Sequence, residues 1–249
     1  MYFSTDIHRI PRAGCDVAKV QVVAHRGASK AEKENTLAAF RRAREMGADM
    51  VELDVRRTAD MGMAVHHDAH LPDGRLIAEV VVADLPADVP ILADALDACD
   101  GMQVNIEIKN HPDDPDFDAT DRLAAAVAAH LSERGDFDRW LISGFNRPTV
   151  DAMRTLCPQV RTAWLTVGVR DEDVAATARS LANSGHIAVN PWTRHLRREC
   201  VEGMHAAGVQ VFCWTVDDPD RMRELVSWGV DGIITNVPDV CRAIVDGND

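Results

Sequence analysis

At 249 residues, 46% of them apolar, the chain is long enough for one large α/β domain with a substantial core, and residues 1–249 read as a single domain. Its formal net charge of −13 excludes a nucleic-acid binder, which needs a basic surface, and stable docking on an anionic membrane. No apolar run approaches the ~20 residues of a membrane span, whereas a small anionic ligand stays open, because a local cluster of cations reverses the sign inside a cleft. The opening Met-Tyr-Phe-Ser-Thr-Asp lacks the apolar run of a secretory leader. Six cysteines (15, 99, 157, 200, 213 and 241) show no CxxC spacing and several fall at apolar positions, as in a reduced cytoplasmic protein without disulfides.

Taken in order, the chain alternates short apolar strands with amphipathic helices. Residues 20–24 (VQVVA) read as a buried strand. Asn35 or Thr36 caps a helix that carries Leu37, Phe40, Ala43 and Met46 on one face and stops at Gly47. Residues 50–56 form the second strand, which continues through a turn near Asp60-Met61-Gly62 into a returning strand that ends at His66-His67-Asp68. Gly62 is the natural occupant of a left-handed turn position. A turn centred between Asp60 and Met61 sets His67 opposite Asp54, and His66 then points the other way.

A short helix at 91–99 precedes a third strand at 104–109 (VNIEIK), and an acidic loop at 112–118 leads to a helix with Leu123, Val127 and Leu131 in line. Strands follow at 140–145, 161–166, 186–190, 209–215 and 232–235. The intervening helices start after Asn146-Arg-Pro148, near Glu172, after Pro191, at Asp218-Pro219 and near Pro238. Eight β-then-α units in this length predict a (β/α)8 TIM-type barrel, with the returning strand as a short hairpin extension after strand two rather than a ninth stave. The open doubly wound sheet is the alternative, but its GxGxxG turn is absent.

In such a barrel the active face lies at the C-terminal ends of the strands. His25 and Arg26 end the first strand, Glu52 and Asp54 the second, Glu107 and Lys109 the third, Ser143 and Phe145 the fourth, Asn190 the sixth, Trp214 the seventh and Asn236 the eighth. Each two-apart pair points to one side of its strand. A charge inside an apolar strand, such as Glu107 between two isoleucines, is costly unless paired or metal-bound. Any one of these carboxylates could simply pair with Arg26, Arg56 or Lys109. Three of them converging with so few cations favour a hard divalent cation, Mg²⁺ or Ca²⁺, and the absence of clustered Cys or His ligands argues against zinc. Among the histidines, the fold brings only His25 and His67 to the cleft, with Asp68 beside His67. His8, His70, His130, His186, His195 and His205 read as solvated, and His111 as a neighbour of the mouth without a role.

The motifs HRGAS (25–29), ENTLAAF (34–40), VELDV (51–55), HHD (66–68), NIEIK (105–109), SGF (143–145), CWTV (213–216) and GVDGIITN (229–236) together resemble the glycerophosphodiester phosphodiesterase family, in the family's order, from about Val22 to Pro238. The resemblance implies a metal on Glu52, Asp54 and Glu107, an acid/base pair in His25 and His67, phosphate binding by Arg26 and Lys109, and a substrate-lining role for Phe145 and Trp214. It implies a metal-dependent hydrolase that cleaves a small-molecule glycerophosphodiester to sn-glycerol 3-phosphate and an alcohol. The chain departs from the family pattern at Lys33, in Leu71–Arg75, at Gly144, at Asp217 (often Asn) and at Asn236 (often Asp), and its insertion between His67 and Glu107 is short. These changes leave the expected ligands and histidines intact and fall on the rim. A lysophospholipase D-like activity on lysophospholipids, or a barrel that binds a phosphoester without turnover, would keep the same frame. No oligomeric state is legible.

Overall fold

The computed structural model describes residues 19–248. Its strands are β1 (Gln21–His25), β2 (Met50–Arg57), β3 (Met63–Val65), β4 (Gln103–Ile108), β5 (Trp140–Gly144), β6 (Arg161–Thr166), β7 (Ala188–Pro191), β8 (Gln210–Cys213) and β9 (Gly232–Thr235). The helices are α1 (Leu37–Glu45), α2 (Leu92–Ala98), α3 (Arg122–Arg134), α4 (Arg147–Leu156), α5 (Val174–Asn183), α6 (Arg198–Ala206), α7 (Pro219–Trp228) and α8 (Pro238–Val245). All strands but β3 run parallel, in the order β1-β9-β8-β7-β6-β5-β4-β2, and β1 pairs with β2 to close an eight-stranded barrel. β3 pairs antiparallel with β2 and lies outside the closed ring, so the hairpin extension and the count of eight both hold.

Strand alternation builds the core in two shells. Val23, Met50, Leu141, Ala163, Ala188, Phe212 and Ile234 point inward and fill the barrel. The outward residues meet the helices in two clusters, one around Leu53, Val104 and Ile106 against α1 to α4, the other around Val22, Val211 and Ile233 against α5 to α8. The helices begin where local chemistry starts them: Thr36 accepts a hydrogen bond from the Ala39 N–H at 3.2 Å, and Asp218 accepts from the Arg221 N–H at 2.8 Å ahead of Pro219. Asn146 stands at the expected cap of α4, but its amide donates to the Thr149 hydroxyl instead.

The 66–91 segment has a small core of its own, in which Leu71, Ile77, Val80 and Val89 pack beneath two short 3₁₀ turns. Cys99, Cys157, Cys200, Cys213 and Cys241 are free and buried, and burial pushes the Cys99, Cys213 and Cys241 thiols up to about 12, which makes them inert. Cys15, His8 and the opening segment lie outside the described residues. Among the described residues no helix is long and apolar enough to cross a membrane.

Three expectations change. The hairpin register is one residue out: Val55 pairs with Val65 and the His66 N–H donates to the Asp54 carbonyl, so His66, not His67, stands opposite Asp54. The cause is an odd loop. Thr58 N–H donates to the Gly62 carbonyl, which encloses a turn centred on Asp60. The left-handed residue is Met61, at φ 64°, and Gly62 is needed for a different reason: a Cβ there would fall 2.1 Å from the Val82 side chain. Finally, His186 is not solvated but buried, with its ring held between the Thr162 hydroxyl at 2.8 Å and the Asp151 carboxylate at 2.6 Å.

Candidate active site

β2 is the strand on which the site is built. Glu52 and Asp54 point inward two residues apart, and the register sets Asp54 beside Glu107 on β4 and His25 on β1 beside Glu52. The three carboxylates are buried at 4%, 1% and 7% exposure, and an oxygen from each lies within 4.8 Å of the others. Burial and mutual repulsion dominate their chemistry. Burial, then Asp54 and Glu107, push the Glu52 carboxyl well above the usual carboxylate range. Burial also raises Glu107, with Lys109 opposing it. Burial would raise Asp54 too, but Lys109 and Arg26 outweigh it and hold that carboxyl well below its ordinary value.

The cations that do this sit close by. Lys109 Nζ lies 2.8 Å from Glu107 and 3.5 Å from Asp54 Oδ1, and Arg26 Nε lies 3.3 Å from Asp54 Oδ2. Arg26 Nη1 also pairs with Glu34 at 3.0 Å. The turn after β1 makes this possible. Arg26 takes a left-handed φ of 55° and aims its own N–H at Glu52 Oε2, 3.0 Å away. Gly27 follows at φ 82°, where a Cβ would strike the Ala39 backbone at 2.7 Å.

Asn35, one of the two cap candidates from the sequence, does something else. At φ 56° and buried, it donates from Nδ2 to Asp54 Oδ2 at 2.8 Å, and Thr36 takes the capping role. It went unassigned as a site residue because its torsion, not its spacing, turns it inward.

His25 Nδ1 is 2.7 Å from Asn236 Oδ1, and burial, then Arg26, lower its pKa below the ordinary imidazole value. His67 lies past the end of β3, with Nδ1 2.7 Å from Asp68 Oδ1. Its backbone carbonyl accepts from Arg56 Nε at 2.8 Å. Arg56 is itself buried and clamps Asp116 through both carboxylate oxygens, at 2.8 and 2.9 Å, and Asp114 at 3.1 Å. The acidic loop of 112–118 is therefore the counter-charge of Arg56, and the pair ties the His67 loop to the barrel. Sequence spacing carries no signal of a pair 60 residues apart.

Every residue to which the resemblance gives a role, except Asp54, lines one cavity of about 60 Å³, together with Leu165 and Ile234, and Asp54 lies buried behind them. Phe145 and Trp214 meet edge to face at 5.6 Å on its wall, and Trp192, unnoticed in the sequence, stacks on Trp214 at 6.4 Å. A wider groove of about 980 Å³ adjoins and shares His67, Glu107, Lys109 and Phe145. An all-oxygen set of buried carboxylates is the donor chemistry of a hard divalent cation. Asp54 Oδ1, buried and accepting no hydrogen bond, fits that reading.

Acidic, cationic and imidazole groups gathered at the C-terminal mouth of a closed parallel barrel are the arrangement of a barrel enzyme. The glycerophosphoryl diester phosphodiesterase family model matches residues 25–240, and the chain belongs to that family. It is similar to a glycerophosphodiester phosphodiesterase of Caldanaerobacter subterraneus, 32% identical over 91% of this chain and 98% of that one. Among solved structures it shares the fold of an Oleispira antarctica phosphodiesterase in complex with the product sn-glycerol-3-phosphate (TM-score 0.82, 24% identity, 91% and 96% of the two chains). A glycerophosphodiester phosphodiesterase from Thermotoga maritima also superposes (TM-score 0.74, 25% identity, 89% and 96% covered).

Removing one partner of a buried ion pair leaves an uncompensated charge at a cost of ~3–5 kcal/mol. Arg56→Met, which leaves the buried Asp116 without its counter-charge, is expected to lose stability on that scale in urea unfolding, and Asp116→Ala less, because Asp114 still faces Arg56. A loss under ~0.5 kcal/mol in Arg56→Met, the size of an ordinary surface substitution, would show that Arg56 and Asp116 do not hold the His67 loop.

Proposed function

We propose that this chain hydrolyses glycerophosphodiesters to sn-glycerol 3-phosphate and an alcohol, with His25 as general base and His67 as general acid. The observation that carries the reading is a single cavity lined by both imidazoles, by Glu52 and Glu107, and by Arg26 and Lys109. Membership of the family supports it.

A phosphodiester is an anion that resists attack until its charge is neutralised. Arg26 and Lys109 bind the phosphoryl oxygens and steady the charge that builds on them. A divalent cation, Mg²⁺ or Ca²⁺, would be held by Glu52, Asp54 and Glu107 and would supply Lewis-acid stabilisation of the same oxygens. His25, kept neutral by burial and by Arg26, takes the proton of the attacking hydroxyl, whether that of water or of the substrate's own glycerol. His67, with Nδ1 against Asp68, gives a proton from Nε2 to the departing alkoxide. Phe145 and Trp214 line the wall beside the glycerol or leaving group.

The leaving alcohol then lies in the adjoining groove. His66, Asp68, His70, His111 and Asp114 ring it, with Leu71, Pro72 and Val167 as its apolar part. The groove also presents Ala69, Ile108, Pro115 and Phe145, so its lining offers contacts to a polar alcohol and to an acyl chain alike, and it is family membership that favours soluble glycerophosphodiesters over lysophospholipids.

His67→Ala is expected to lower kcat ~10²–10⁴-fold on glycerophosphodiesters, and a chelator to abolish activity until Mg²⁺ or Ca²⁺ is returned. A rate close to wild type in the variant, equal turnover of lysolipids, or indifference to chelation would each overturn the corresponding part of the proposal.

The pH profile follows from the direction of the His25 shift. The base works when unprotonated, so activity is present at higher pH and lost as pH falls through a pKa on the acid side of the usual ~6.5. An acidic limb of kcat/KM above ~6.5 would contradict that assignment.

A further inference from the structure

We propose that Asp217 and Asn236 act as a relay that sets which ring nitrogen of His25 carries the proton, leaving Nε2 unprotonated toward the cavity. The inference rests on the assignment of His25 as the base and concerns residues with no role in that assignment.

The chain of contacts runs from the loop after β8 to the end of β1. Asp217 Oδ1 accepts from the Asn236 N–H at 2.8 Å and from the Thr235 hydroxyl at 3.1 Å. Asp217 Oδ2 lies 2.6 Å from Asn236 Nδ2. Asn236 Oδ1 accepts from the Ser29 hydroxyl at 2.8 Å and faces His25 Nδ1 at 2.7 Å.

The orientation of the Asn236 amide is the hinge of the argument, and electrostatics decides it. A carboxylate only accepts hydrogen bonds. The NH₂ group of Asn236 must therefore face Asp217, because the reversed amide would press its oxygen against the carboxylate oxygen. The carbonyl end is then turned to His25 and Ser29. An amide oxygen also only accepts, so His25 Nδ1 must be the protonated nitrogen. Nε2, which has no hydrogen-bond partner among the described residues, is left with its lone pair. A general base needs that lone pair: the proton of the attacking hydroxyl adds to Nε2, and the positive charge that results is shared through Nδ1–H with the Asn236 carbonyl dipole and Asp217 beyond it. Asp217 and Asn236 are positioning residues, since neither lines the cavity.

The isosteric change Asp217→Asn separates this role from mere support of the fold. The carboxamide it introduces still accepts from the Asn236 N–H and the Thr235 hydroxyl, but it presents an NH₂ group to the Asn236 side chain. The Asn236 amide must then turn round, His25 Nδ1 becomes an acceptor, and the proton moves to Nε2. Adding Asn236→Asp restores an acceptor opposite both Nδ1 and the new NH₂ group at position 217, so the double variant returns the proton to Nδ1.

The test is ¹⁵N NMR of the imidazole side chains at a pH where His25 is neutral, with the resonances assigned from His25→Gln, read beside steady-state kinetics of the same proteins. Wild type and the double variant are expected to show a protonated Nδ1, and Asp217→Asn a protonated Nε2. In the same series, kcat is expected to fall at least ~10-fold in Asp217→Asn with KM changed less than ~2-fold, and to recover in the double variant. A protonated Nε2 in wild type, or an Asp217→Asn protein with unchanged tautomer and kcat, would overturn the relay. An undiminished rate in His25→Gln would instead overturn the base assignment, and the NMR result separates the two failures because it does not depend on turnover.

Discussion

Three carboxylates buried side by side repel each other, and most of the local structure around them exists to offset that repulsion. Burying an ionised group without a partner costs several kcal/mol. Here Lys109 and Arg26 supply two positive charges, the Arg26 N–H and the Asn35 amide supply directed hydrogen bonds, and Glu52 still sits far above its normal range. The left-handed residues Arg26 and Asn35 belong to the same account. Left-handed backbone costs an ordinary residue of order 1 kcal/mol or more. Both residues point a polar group at Glu52 or Asp54, and the strain at Arg26, unlike that at Asn35, whose residue type tolerates the torsion, is coupled to the charge it serves.

The barrel contributes adjacency. β1, β2 and β4 are neighbours in the sheet, so His25, Glu52, Asp54 and Glu107 come together by strand register alone, without long loops reaching inward. This is also how a chain of charge −13 gathers two cations, Arg26 and Lys109, in one cavity. The cations are few, but they and the carboxylates are held where field lines are focused by an apolar wall of Leu165, Ile234, Phe145 and Trp214.

That division explains what could be read from residues alone. Inward pairs two apart on strands, such as Glu52 with Asp54 and Glu107 with Lys109, follow from the period of the pleat and are visible in any strand with a charged residue among apolar ones. The eight-unit alternation is visible for the same reason. What escaped depends on torsion or on distant partners. Asn35 turns inward only because its φ is positive. Asp217 and Asn236 meet His25 across 211 residues of chain from His25 to Asn236. His186 is apolar in context but polar in type, and only the folded arrangement shows Asp151 and Thr162 on either side of its ring.

The hairpin shows how a wrong register can leave a site intact. Had His67 been placed by pairing within the ladder, a slip of one residue would have sent it to the opposite face. The ladder bond from the His66 N–H to the Asp54 carbonyl is the last before it, and a second hold acts on His67 itself. β3 ends at Val65, and past it the chain is held by the Arg56 guanidinium on the His67 carbonyl, with Arg56 in turn fixed by the carboxylates of 114 and 116. Arg56 thus holds the backbone at His67, while the His67 ring itself meets Asp68. The imidazole lines the cavity although His66, not His67, stands opposite Asp54, because the chain leaves the strand after His66 and strand alternation no longer decides which way the His67 side chain points.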